Sequence, residues 1–123
     1  MINYDIYDRM LEIFPQIVDL GNPQKPSSYT IDNIHIELTS REGPILHISI
    51  KQFDPNHKIK FKYRVKIDHR KKTAEVISYS DENRMYNIYL SKYIIDVEIQ
   101  EKLNQIFYDW LSKRAIDLYR VAY

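Results

Sequence analysis

The sequence predicts an α+β fold, an antiparallel β-meander of four to five strands flanked by an N-terminal helix and a longer C-terminal helix. Three observations point to it. Apolar residues recur at helical spacing near both ends of the chain, the period changes to two between them, and the changes fall at turn-forming clusters. A chain of 123 residues is long enough to bury most of its apolar side chains without a disulfide or metal staple, so one domain spanning residues 1–123 is expected.

Ile6, Tyr7, Met10, Leu11 and Phe14 share one side of the first helix, with Asn3 or Asp5 as its N-cap. Pro15 lacks the N–H and clashes with the carbonyl four residues earlier, which predicts a kink or a restarted turn. Gly21-Asn22-Pro23 ends the element and residues 24–28 read as a loop. Ile34, Ile36 and Leu38 then alternate with His35, Glu37 and Thr39, and the pattern resumes as Leu46, Ile48 and Ile50 after Arg41-Glu42-Gly43, which is a hairpin pattern.

Beyond the turn Asp54-Pro55-Asn56-His57, Ile59, Phe61, Tyr63, Val65 and Ile67 face one side of a strand and Lys58, Lys60, Lys62, Arg64 and Lys66 the other. Residues 73–79 form the next strand and residues 85–90 a short last one. Centring each hairpin on its turn pairs Leu38 with Leu46, Ile50 with Phe61, Ile48 with Tyr63 and Val65 with Val76. The same register sets Glu37, His47 and Arg64 side by side on the outer face, Glu75 opposite Lys66, and Tyr79 opposite Lys62. In the C-terminal helix, Ile99, Leu103, Ile106, Phe107, Trp110, Leu111 and Leu118 form an apolar stripe, with Asp96 as N-cap and Glu98 and Glu101 suiting the helix dipole.

The absence of cysteine excludes disulfides, thiolate metal sites and thiol nucleophiles. With no signal-like start and no apolar run of membrane-spanning length, a cytoplasmic location is expected. The net charge of +1 argues against a general polyanion binder. It hides an asymmetry, because residues 58–72 carry eight Lys or Arg and one Asp, leaving the rest of the chain net acidic. Any electrostatic function is therefore local.

Three runs carry a resemblance: Tyr7-Asp8-Arg9-Met10-Leu11-Glu12-Ile13-Phe14-Pro15, the strand-turn-strand from Val65-Lys66-Ile67-Asp68-His69 to Ala74-Glu75-Val76, and Leu103-Asn104-Gln105-Ile106-Phe107-Tyr108-Asp109-Trp110-Leu111. In order and separation they are similar to the YqiB family of bacterial proteins, and together they span most of the chain. Glu98-Ile99-Gln100 stands where that family carries an acidic-acidic-lysine triplet. The resemblance implies the fold and no particular activity. It also implies a link to nucleotide physiology, since such genes often neighbour genes concerned with nucleotide hydrolysis.

The leading functional reading is a non-enzymatic binding or adaptor module. Lys60, Lys62, Arg64 and Lys66, with His47 and Tyr79, make a basic sheet face that engages an acidic protein surface or an anionic ligand. The plain alternative is a solvated face whose lysines discourage unwanted sheet pairing. Nucleic-acid or nucleotide binding is a second reading, weakened because Tyr79 alone offers a stacking platform. A small hydrolase built on Glu37 or Glu75 with His47 is a third, with no poised nucleophile in view. Asn104 is expected to hydrogen-bond the sheet or a loop, and Asp109 to pair with Lys113. No phosphate-binding loop, metal motif or cofactor fingerprint occurs, so no cofactor, metal or membrane partner is expected. A homodimer through the sheet faces or edges is the expected alternative assembly.

Overall fold

The computed structural model describes residues 2–122, with side chains through residue 118. Helix α1 (Ile2–Ile13) leads into a short 3-10 helix (Pro15–Asp19), and six strands follow: β1 (Ser28–Ile31), β2 (Ile34–Glu42), β3 (Ile45–Phe53), β4 (Ile59–Asp68), β5 (Thr73–Asp81) and β6 (Met85–Asn87). Helix α2 (Val97–Ala122) closes the order. The strands form one antiparallel sheet in sequence order, with both helices adjoining β5 and each other.

The α+β architecture agrees with the sequence, with one strand more than expected. Strand β1 adjoins β2 through the two-residue turn Asp32-Asn33, where Asp32 takes φ 54. Its brevity and half-buried pattern hid it, although Asx residues that tolerate the left-handed region are a hairpin signal. Pro15 restarts the chain at the first turn of the 3-10 helix, where its missing N–H has no consequence. Asn3 and Asp5 lie inside α1 rather than capping it. Asp96 caps α2 as expected, its carboxylate accepting the Ile99 N–H at 3.1 Å.

Turn position and three register shifts correct the expected pairing. The β2–β3 turn is the tight pair Gly43-Pro44, with Gly43 at φ 61, so Leu38 meets Ile48 rather than Leu46, and Thr39 is the extra residue. Ile50 meets Tyr63, and Ile48 meets Val65. Val65 does face Val76, and Lys66 does face Glu75, but Arg64 pairs with Ser78, leaving Ile77 as an inserted residue. A bulge shifts the pairing by one and turns every later side chain to the opposite face. Val76 and Ile77 accordingly both enter the core, and Tyr79 pairs with Tyr63 instead of Lys62.

The core lies between the helices and one sheet face. Ile6 and Met10 from α1, Phe14 just beyond it, and Leu103, Phe107 and Leu111 from α2 are buried with Ile36, Ile48, Ile50, Val65, Ile67 and Val76. Phe61, Tyr63, Tyr79, Phe107 and Trp110 form a continuous aromatic layer with ring centroids 4.7 to 6.3 Å apart. Trp110 is only half-buried and donates its indole N–H to Gln52 at 3.2 Å. The α2 stripe is narrower than expected, because Ile106 and Leu118 are 53% and 51% exposed.

Strand β6 ends opposite Ser78, so the first half of β5 runs on without a strand neighbour on that side. Asn104, buried at 4% exposure, takes the place of the missing strand by accepting the Val76 N–H at 2.8 Å. Asp109, by contrast, accepts a hydrogen bond from Gln105 at 2.9 Å. Substituting Asn104→Ala leaves the Val76 donor buried without a partner and is expected to cost about 1–3 kcal/mol. Urea unfolding checks this, and an unchanged midpoint would contradict it.

Candidate functional site

The face of the sheet turned away from the helices carries the polar half of each strand's alternation. The register arranges it in three cross-strand rows. The first runs Thr30, His35, Lys51, Lys62, Ser80; the second Ser28, Glu37, Ser49, Arg64, Ser78, Asn87; the third Ser40, His47, Lys66, Glu75. Small hydroxyl residues thus flank the long cations: Arg64 lies between Ser49 and Ser78, and Ser49 is only 2% exposed.

Of the residues expected on this face, Lys62, Arg64, Lys66 and His47 are brought together. Lys60 is exposed near the end of β4, where the β3–β4 register shifts. Tyr79 is not part of it, because the Ile77 bulge turns its ring inward against Tyr63 at 5.0 Å. Its hydroxyl donates to Asp81 at 2.7 Å, and burial first, then that bond, push its pKa up to about 12. The expected Glu37–His47–Arg64 row is split between two rows, so His47 stands directly between Ser40 and Lys66 and no carboxylate lies opposite it. Glu37 approaches His35 instead, at 3.5 Å, while Thr30 meets the other ring nitrogen of His35 at 2.9 Å.

Lys51, Ser78 and Ser80 escaped the sequence reading. Lys51 shares the alternation of His47 and Ser49 and was legible from that parity; the two serines required the bulge. Lys51 directly faces Lys62, a like-charge cross-strand pair that costs stability. Lys66 is neutralised by Glu75 at 3.8 Å, and Glu75 also accepts from Gln100 of α2 at 2.9 Å. Among the described residues, Lys51, Lys60, Lys62 and Arg64 form no ion pair. The positive charge is therefore bounded by Glu37 on one side and Glu75 on the other, and unopposed between them.

Two histidines are held neutral. Burial first, then the Lys66 and Arg64 cations, lower the pKa of His47 against a weaker opposing pull from Glu42. Burial also lowers that of His69, whose Nδ1 lies 2.9 Å from the Tyr7 hydroxyl and whose buried Nε2 finds no partner among the described residues. No group of three His, Asp or Glu that could hold a metal ion occurs among the described residues, and no helix is long and apolar enough to cross a membrane.

Compared with known proteins, the chain matches no family model, no curated protein and no solved structure. The residues must speak for themselves.

Because both histidines have depressed folded pKa values, the unfolded chain takes up protons first as pH falls. Their contribution to stability is full above the ordinary histidine value of 6.5 and is lost as pH drops through the lower folded values. Lys66→Gln is expected to raise the His47 pKa without restoring it fully, since burial is the larger cause. An NMR titration of the His47 ring reads this, and a fall or no change would contradict it.

Proposed function

We propose that the protein is a non-enzymatic binding module whose outer sheet face, centred on Lys62 and Arg64, engages an acidic segment of a partner protein. One observation carries the reading: Lys51, Lys60, Lys62 and Arg64 form no ion pair among the described residues, and two of them, Lys51 and Lys62, stand directly opposite each other on one open face. A fold that keeps a repulsive Lys51–Lys62 contact lowers that cost when an anion arrives between them. The half-buried hydroxyls of Ser78 and Ser80 add hydrogen-bond donors beside the charge.

Geometry favours an extended acidic chain. Outward residues of β4 recur every roughly 6.8 Å, twice the strand rise, and an extended peptide presents alternate side chains at the same interval. Glutamate or aspartate at every second position would match Lys60, Lys62, Arg64 and Lys66 in step. The inward turn of Tyr79 removes the one aromatic platform that base stacking would use, which weighs against single-stranded nucleic acid as the occupant. Hydrolysis is disfavoured because Lys66 separates His47 from Glu75. The likeness of the helix and strand runs to the YqiB family is the ground for proposing a bacterial protein of the cytoplasm, and it favours no particular partner.

A synthetic peptide alternating glutamate with threonine tests this. Lys62→Glu combined with Arg64→Glu is expected to weaken binding by at least about tenfold, roughly 1.4 kcal/mol, without lowering thermal stability, because both residues lie on the outer face and Lys62→Glu replaces the like-charge pair with Lys51 by an opposite-charge one. Affinity of the unaltered protein is expected to fall as salt rises. Equal affinity of the two proteins for the peptide, or preference for a single-stranded oligonucleotide, would overturn the reading.

A further inference from the structure

A second concave site lies on the opposite side of the sheet, in the groove between β6 and α2. Tyr79 and Tyr86 face each other across the β5–β6 ladder and form one wall. Ile99, Leu103 and Ile106, successive turns of α2, form the other. The groove encloses about 290 Å³, room for a molecule of one or two rings and little more. Ile106 belongs to the apolar stripe of α2, yet 53% of it is left exposed here. The rim of the groove at Ile106 and Tyr86 is therefore uncovered, while Leu103 at its floor belongs to the core.

Two cations, Arg84 and Lys102, complete the lining. The nearest carboxylates are already engaged. Asp81 accepts the Tyr79 hydroxyl and the backbone N–H groups of Asn83 and Arg84, at 2.7, 2.9 and 2.8 Å. Glu98 meets Lys102 at 3.8 Å, with both side chains largely exposed, a contact worth little in water and easily exchanged. Arg84 lines the groove together with Tyr86, and the neighbouring Tyr86 and Asp81 side chains raise its pKa, so it keeps its charge. The Tyr79 hydroxyl is thus tied back to Asp81, and the two tyrosine rings serve as a wall.

We infer that this groove binds a small aromatic anion, a planar body of one or two rings bearing a carboxylate, sulfonate or phosphate. The ring displaces water from Tyr79, Tyr86 and Ile106, and the anionic group meets Arg84 and Lys102 at the rim. A flat ring between aromatic and aliphatic walls gains from both area burial and ring-edge geometry. Charge complementarity selects the anion over its neutral analogue, since Arg84 and Lys102 line the groove and no carboxylate does. The site shares no residue with the outer basic face and stands or falls separately from it.

Titration of the full chain with 2-naphthoate and with 2-naphthylmethanol, followed by NMR, tests the inference. The naphthoate is expected to bind at least about tenfold more tightly, with shifts centred on Tyr79, Arg84, Tyr86, Ile99, Lys102 and Ile106. Arg84→Gln with Lys102→Gln should erase that preference while leaving the alcohol's affinity unchanged, and Tyr86→Ala should weaken both ligands. Lys62→Glu with Arg64→Glu should alter neither. Equal affinities for the two probes, shifts centred elsewhere, or no saturable binding would overturn it.

Discussion

The bond from the Val76 N–H to the Asn104 side chain sits where the sheet, its edge and the long helix meet. Strand β6 is three residues long and leaves half of β5 without a strand neighbour. An open edge of unpaired N–H and C=O groups would invite another chain. Helix α2 fills that position, and Asn104 fixes it to the backbone rather than only to side chains. Leu103 and Phe107, its neighbours on the same helix, are thereby set onto the aromatic layer over β4 and β5.

That anchoring puts both helices on one face and leaves the other to solvent. The chemistry of the two faces follows. The inner face holds the aromatic and β-branched residues, with Gln52 and Asn104 as buried polar groups satisfied by Trp110 and Val76. The outer face inherits lysine, arginine, histidine and serine. The bulge at Ile77 sharpens the division, because it gives β5 two consecutive core residues and then delivers serines to the outer side and tyrosine to the inner. One inserted residue therefore removes an aromatic ring from the basic face and supplies it to the groove behind.

Long periodic segments were legible in the sequence. The ten-residue β4 and the helix stripe around Leu103, Phe107 and Leu111 follow from periodicity alone, and so do the Asp96 cap and the outward set Lys62, Arg64 and Lys66. Register was less legible. A turn centre misplaced by one or two residues moved every partner in the β2–β3 and β3–β4 hairpins, and a bulge carries no sequence mark as plain as a glycine or proline. The row of Glu37, His47 and Arg64 failed for that reason, and so did the placement of Tyr79. Ile106 failed differently: its spacing is that of the core stripe, but whether a helix residue is covered depends on how far β6 extends.

The central claim is that the uncovered basic face, and not the helix side, receives an acidic chain. Hydrogen–deuterium exchange of the protein with and without the glutamate–threonine peptide tests it most directly. The account predicts slowed exchange confined to β3, β4 and β5, in the segments carrying Lys51, Lys62, Arg64 and Ser78. Protection that falls instead on β6 and the first turns of α2, or no protection at saturating peptide, would contradict it.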